Sequence, residues 1–248
     1  MSIIRKQDTI HISYPEFMDI LLSNNKALPS ESDNEKFYVP LDTAFENNEK
    51  LGSGFVKMFQ IRKDISINVT KFKLIKDTHI ENICEEPMVG FHFILGGEAR
   101  IDLGRKNNFY RFVRKGECSM SIIPSGVVNY ELKKIDNENL YFVAVLFPFA
   151  AFMEFAKEYL EYLPSEIKSS LINSTDFFQF VCSIDSELSY SLNSLLTSNL
   201  EGAYQLLYAE SKATEFILYF IRHLVKTATM DNLLDANQDE LDVVYRVC

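Results

Sequence analysis

Four histidines, four cysteines and a scatter of carboxylates are the residues through which this 248-residue chain could do chemistry. His92 stands alone on an apolar, alternating stretch, with Glu98 further along, while His11, His79 and His223 fall in unrelated segments. A metal centre needs three or four imidazole, thiolate or carboxylate ligands converging on one point, and one histidine with scattered acids does not make that set. His92 therefore reads as a hydrogen-bonded strand residue, and no metal or other cofactor is expected. Cys84, Cys118, Cys182 and Cys248 contain no C-x-x-C pair and read as reduced thiols. There is no G-x-S-x-G, no cysteine with a histidine near it in sequence, and no phosphate-cradling loop ending in Lys-Ser/Thr. Gly52-Ser53-Gly54 precedes a strand pattern rather than a helix, so it is a turn. No catalytic residues are expected, and the chain does not read as an enzyme.

What remains is binding. A barrel lined by Phe91, Phe93, Tyr110, Phe112, Tyr130 and Phe142 would hold a small, largely apolar ligand, oriented by His92, Arg100 and Arg111. Alternation along a strand tells which residues share a face but not which face points inward. Each of these aromatics, taken singly, is more often plain core than ligand wall.

The elements that must position them start at Gly52. Phe55, Lys57, Phe59 and Ile61 alternate with Val56, Met58 and Gln60. Ile65, Ile67 and Val69 share a face, whereas Phe72 and Leu74 have the opposite parity; a bulge near Thr70 or Lys71 would reconcile them. Short strands are predicted at Met88–Leu95, Ala99–Leu103, Phe109–Arg114, Cys118–Ile123, Val128–Lys133 and Leu140–Phe147. Turn signals separate them at Gly96-Gly97, Lys106-Asn107-Asn108, Lys115-Gly116, Pro124-Ser125-Gly126 and Asp136-Asn137. Such spacing indicates a sandwich or small barrel.

Ahead of these strands, residues 1–50 read as an arm. It holds a short helix over Tyr14 to Leu22, with Ser13 as N-cap and Pro15 in the first turn, and then polar loop from Lys26 to Lys50. From Phe149 the apolar period changes to three or four. Helices are predicted through Phe152, Phe155, Ala156 and Tyr159, over Ser165 to Ile172, over Ser186 to Leu196, and over Glu201 to Lys226. The last carries a stripe of Leu206, Ala209, Ala213, Phe216 or Ile217, Phe220 and Leu224. Leu207, Tyr208, Phe216, Ile217 and Tyr219 extend its apolar surface beyond one core contact, which fits a dimer interface or, equally, a helix buried on two sides within its own domain. Met230 to Gln238 reads as a polar linker, and Glu240 to Cys248 as the start of a further helix.

Composition bounds the rest. Apolar residues make up 47%, with 20 Phe and 12 Tyr, as in a globular protein. A net charge of -10 argues against this chain gripping nucleic acid by itself. MSIIRKQDT lacks a signal-peptide apolar run. LYFVAVLFPFAAFMEFA is interrupted by Pro148 and is shorter than the roughly 20 residues of a membrane helix. A cytoplasmic location is expected.

The segment EGAYQLLYAESKATEFILYF carries a resemblance. Gly202, Tyr208, Glu210, Lys212, Ala213, Glu215 and Phe216 match a run near the end of the effector domain of AraC-type transcription regulators, in the branch that includes siderophore-responsive activators. Ala209 stands where that run has Leu. GSGFVKMFQIR, FHFILGGEAR and SIIPSGVVNYEL resemble further landmarks of the same family, with Asp64 where a turn Gly is more usual. The resemblance implies an α+β chain, a cupin-like β-barrel followed by a helical dimerisation segment. It divides as an arm (1–50), an effector-binding barrel (51–148), dimerisation helices (149–230), and a linker with the start of a helix-turn-helix DNA-binding domain (231–248). It also implies a small-molecule effector, a homodimer, and promoter DNA bound only through the domain that would follow. The competing reading is a free-standing cupin-type enzyme or small-molecule-binding protein. Metal-binding cupins place two histidines one residue apart and a third on a later strand; here Val128–Lys133 contains none.

Overall fold

A computed structural model describes residues 9–22, 41–62, 65–102, 112–158, 160–163, 165–172, 177–200 and 202–247, with side chains on the last helix described as far as Val225. The chain opens with β1 (Ile10–Ser13) running directly into α1 (Tyr14–Leu22), where the Glu16 backbone N–H donates to Ser13 Oγ at 3.4 Å as an N-cap should. Strands then follow in close succession: β2 (Leu41–Asn48), β3 (Gly52–Arg62), β4 (Ile65–Lys73), β5 (Thr78–Cys84), β6 (Met88–Gly96), β7 (Glu98–Asp102), β8 (Val113–Arg114), β9 (Glu117–Ile123), β10 (Gly126–Leu132) and β11 (Leu140–Pro148). Then come α2 (Phe149–Ala156), α3 (Ser165–Ile172), β12 (Phe178–Ser183), α4 (Ser186–Leu196) and α5 (Gly202–Val247).

The strands form a five-stranded sheet, in the order β1-β5-β10-β7-β8, and a seven-stranded sheet, in the order β12-β9-β6-β11-β4-β3-β2. Together they enclose a barrel-like interior, with a helical segment after it. The larger sheet is buried on both faces. One face carries Ile67, Val69, Phe91, Phe93, Met120, Val143, Val145 and Phe147, which pack with Phe152, Ile167, Leu192, Phe216 and Phe220 of the helices. The other face carries Val56, Phe72 and Phe142, which meet Ile80 and Leu132 of the smaller sheet.

This double burial removes the bulge expected near Thr70. The pairing of β4 with β3 and with β11 runs unbroken through Thr70 and Lys71. Phe72 has the opposite parity to Ile67 and Val69 because it packs inside the barrel while they pack under the helices. The register irregularities fall instead at Phe45/Asn48, at Gln60/Arg62 and at Tyr141/Phe142.

Two further differences concern the chain's ends. Leu41–Asn48, within the stretch expected as loop, is a strand on the edge of the larger sheet. Residues 23–40 lie outside those described. At the other end α5 passes without a break through the stretch expected as a linker. After Gly202 the helix contains no Gly or Pro, so nothing forces a stop. The helices α4 and α5 are tied at their interface. Asp185 caps α4, accepting from Leu188 N at 2.8 Å, Lys212 reaches Ser191 and Glu215, and Arg222 pairs with Glu187.

Candidate ligand-binding cavity

Between the two sheets lies a cavity of about 260 Å³. Its floor is one row of residues across the larger sheet, brought into line by register. Met58 pairs with Asn68, Asn68 with Ala144, Ala144 with His92, and His92 with Ser119. The smaller sheet supplies the facing wall through Ile80, Asn82, Ile101 and Tyr130. Tyr14, Phe17, Met18 and Leu21 of α1 close one end, with Phe17 edge-on to Phe72 at 6.1 Å between ring centroids.

Apart from Arg100 at its border, the polar groups inside are uncharged. Burial lowers the His92 pKa to about 4, so its imidazole is neutral at physiological pH. Burial also pushes the Tyr130 phenol upward, and a hydrogen bond joins it to Asn82. Two buried atoms of the floor, Asn68 Oδ1 and His92 Nδ1, find no hydrogen-bond partner among the described residues. A buried polar atom left unpaired costs about 1–3 kcal/mol, so such atoms mark places where a ligand's polar groups would be welcome. Gly90 makes room for the imidazole, since a Cβ there would stand 2.6 Å from His92 Cε1.

Of the residues singled out from sequence, His92, Tyr130 and Phe142 line this cavity. Arg100 borders it, but its guanidinium is engaged by Glu131, with Nε to Oε2 at 2.9 Å and Nη2 to Oε1 at 2.8 Å, and lies 4.7 Å over the Phe112 ring. Phe91 and Phe93 do not reach it. They point to the opposite face of β6, where Phe91 meets Phe220 and Phe93 meets Phe216, each pair 5.4 Å between centroids. Neighbours in sequence alternate across a strand, so choosing His92 for the cavity excludes Phe91 and Phe93. Tyr110 and Arg111 lie outside the described residues. Asn68, Asn82 and the α1 residues were not foreseen. Asn68 carried a signal only in its type, because asparagine is depleted in strands; it falls on the face opposite Ile65, Ile67 and Val69.

The proposed interface residues on α5 also separate. Phe216 and Ile217 are wholly buried in the domain's own core and are not available to a partner. Tyr208 and Tyr219 are half-buried against that core. Leu207 is 64% exposed, and with Tyr204 (75%) and Leu218 (49%) it forms an outward apolar stripe. Exposed Ser211 and Thr214 fall between them, and half-buried Ile221 and Val225 continue the line. Successive steps of three and four residues are the spacing of a coiled-coil seam.

Residues 51–233, from the start of β3 through the barrel and helices into α5, match the family model described as the regulatory protein PchR N-terminal domain. The chain belongs to the PchR N-terminal domain family. It is thus the regulatory domain of an AraC-type transcription regulator. No curated protein matches the chain significantly. Solved structures similar to this PchR-type domain include a mutant oxalate decarboxylase of Bacillus subtilis, with 14% identity and a TM-score of 0.31 over 60% of this chain and 37% of that one. KdgF from Halomonas sp. matches with 12% identity and a TM-score of 0.29, over 38% of this chain and 78% of that one. Vicilin from hazelnut, Corylus avellana, matches with 16% identity and a TM-score of 0.29, over 47% of this chain and 31% of that one. Among the described residues of the PchR-type domain, no three His, Cys, Asp or Glu side chains converge as metal ligands. Among the same described residues, no helix is long and apolar enough to cross a membrane.

Proposed function

We propose that this domain binds a small, neutral, largely apolar effector in the barrel cavity, without catalysing a reaction on it. It then transmits binding, as a cytoplasmic homodimer, to a helix-turn-helix DNA-binding domain joined through α5. The observation that carries the reading is the row Asn68–Ala144–His92, in which two unpaired buried polar atoms face a largely apolar interior whose charged border residue, Arg100, is already paired with Glu131. A neutral molecule with hydrogen-bonding groups would satisfy both atoms without bringing an unpaired charge into the barrel. The dimer reading rests on the stripe Tyr204, Leu207 and Leu218, whose intervening Ser211 and Thr214 hydroxyls already bond to helix carbonyls. A second copy of this stripe is the matching surface for a two-fold contact. DNA is assigned to the attached domain because the net charge of -10 opposes phosphate contact by this one.

A thermal-shift screen of neutral small molecules tests the effector reading. A true effector at 100 times its dissociation constant adds about 2.7 kcal/mol of stability, and that gain disappears in Asn68→Leu. A fall of several degrees in melting temperature on adding a chelator would overturn it in favour of a metal-dependent cupin. Light scattering at micromolar concentration tests the dimer independently, and a monomer would overturn that half alone.

A further inference from the structure

Strand pairing sets Cys118 of β9 directly opposite Cys182 of β12, and their sulfurs lie 3.4 Å apart. The two residues are far apart in sequence and share no motif; only the placement of β12 on the sheet edge brings them together. Cys118 is buried, while Cys182 is partly open to solvent. We propose that Cys118 and Cys182 form a reactive dithiol that reduces hydroperoxides and closes to a reversible disulfide.

A disulfide needs its sulfurs at about 2.05 Å, so the pair has a little over an ångström to close, with both backbones already held in register. Cys182, the accessible thiol, attacks the peroxide O–O bond as its thiolate. Its sulfur is oxidised to the sulfenic acid, and the other peroxide oxygen leaves as water after taking up the thiol proton. The Cys118 thiol then attacks the sulfenic sulfur. The S–O bond breaks, the S–S bond forms, and the Cys118 proton leaves with the hydroxyl as a second water. In total two thiols and one hydroperoxide give one disulfide and two waters when the peroxide is hydrogen peroxide. The hydrogen bond with Cys182, together with burial, holds the Cys118 thiol protonated in the reduced pair, which leaves the first attack to Cys182; Cys118 gives up its proton only as it attacks the sulfenic sulfur. Disulfides of this kind in reducing compartments are transient and sensing rather than structural.

Closure would fasten β12 to β9. That strand pair supplies Gln179 and Ser119 to the cavity wall, and β12 leads through Asp185 into α4. The bond therefore falls between the ligand site and the helices.

The test is peptide mapping by mass spectrometry, without reductant, after hydrogen peroxide is added to the folded, reduced chain. The expected result is a linked Cys118–Cys182 peptide pair that has lost two hydrogens and is restored by dithiothreitol. It should form in Cys84→Ser as in the parent and be absent in Cys182→Ser, where Cys118 stays a thiol. A folded parent protein in which Cys182 advances to sulfinic acid while Cys118 remains unlinked overturns the proposal. So does a linkage that appears only after unfolding.

Discussion

Asn68 and His92 flank Ala144 on neighbouring strands, and each keeps one buried polar atom without a partner in the same cavity. The small side chain of Ala144 leaves the space between them open. Each unpaired atom costs the empty domain about 1–3 kcal/mol. Asn68→Leu removes one such cost in a site with room for the larger side chain. Urea denaturation should find the ligand-free variant as stable as the parent, or more stable by about 1 kcal/mol. The same variant should lose the effector-induced shift. A loss of stability in the ligand-free form would mean that Asn68 serves the fold instead.

The pH dependence of stability should carry the mark of His92. Its pKa is about 4 in the folded protein against an ordinary 6.5, lowered by burial of the ring. The unfolded chain therefore binds a proton across that window and the folded chain does not. The neutral ring's stability is fully present above pH 6.5, declines as pH falls toward 4, and is lost below it. Between pH 7 and pH 5 this group alone costs about 2 kcal/mol. Denaturant titrations of His92→Gln should show a correspondingly smaller decline over the same range; equal slopes in parent and variant would remove His92 from the account.

Gly90 tests the packing under that ring. A Cβ there meets His92 Cε1 at 2.6 Å and Leu146 Cδ2 at 3.2 Å. Because the nearest atom belongs to a side chain that can swing, Gly90→Ala should fold, at a cost of about 1–3 kcal/mol. The displaced imidazole should enter the cavity and weaken effector binding more than it weakens the fold. Calorimetry on the variant checks this, and unchanged affinity would place the ligand elsewhere.

Two apolar positions on α5 should behave oppositely. Phe216 is wholly buried against Phe93, and Phe216→Ala should cost about 3–5 kcal/mol. Leu207 is exposed, and Leu207→Glu should change monomer stability by less than about 0.5 kcal/mol while dissociating the dimer. Sedimentation of Leu207→Glu at micromolar concentration gives the mass; a dimer that survives would exclude this stripe as the seam.

Strands and helices were legible where period and turn signals agree, as along β9 to β11 and at α3 and α4. The orientation of the faces was not. In a sheet covered on both sides, hydrophobicity no longer marks the inside, so Phe91 and His92 were assigned together although adjacent residues must diverge. On α5 the buried stripe was legible, but the outward seam was not separated from it. Phe216 and Leu207 are equally apolar, and only packing against the sheet distinguishes them. The Cys118–Cys182 contact had no sequence signal at all, since it depends on an edge pairing between distant strands.

His92 and its two phenylalanine neighbours make β6 a wall one backbone thick, with the cavity on one side and α5 packed on the other. No intervening layer separates the two. Binding free energies at sites linked in this way are reciprocal. If truncating Phe220 or Phe216 alters how tightly the effector binds, the effector must in turn alter what that truncation costs the fold by the same amount. Measuring the first on the isolated domain thus reports the second, without any DNA present.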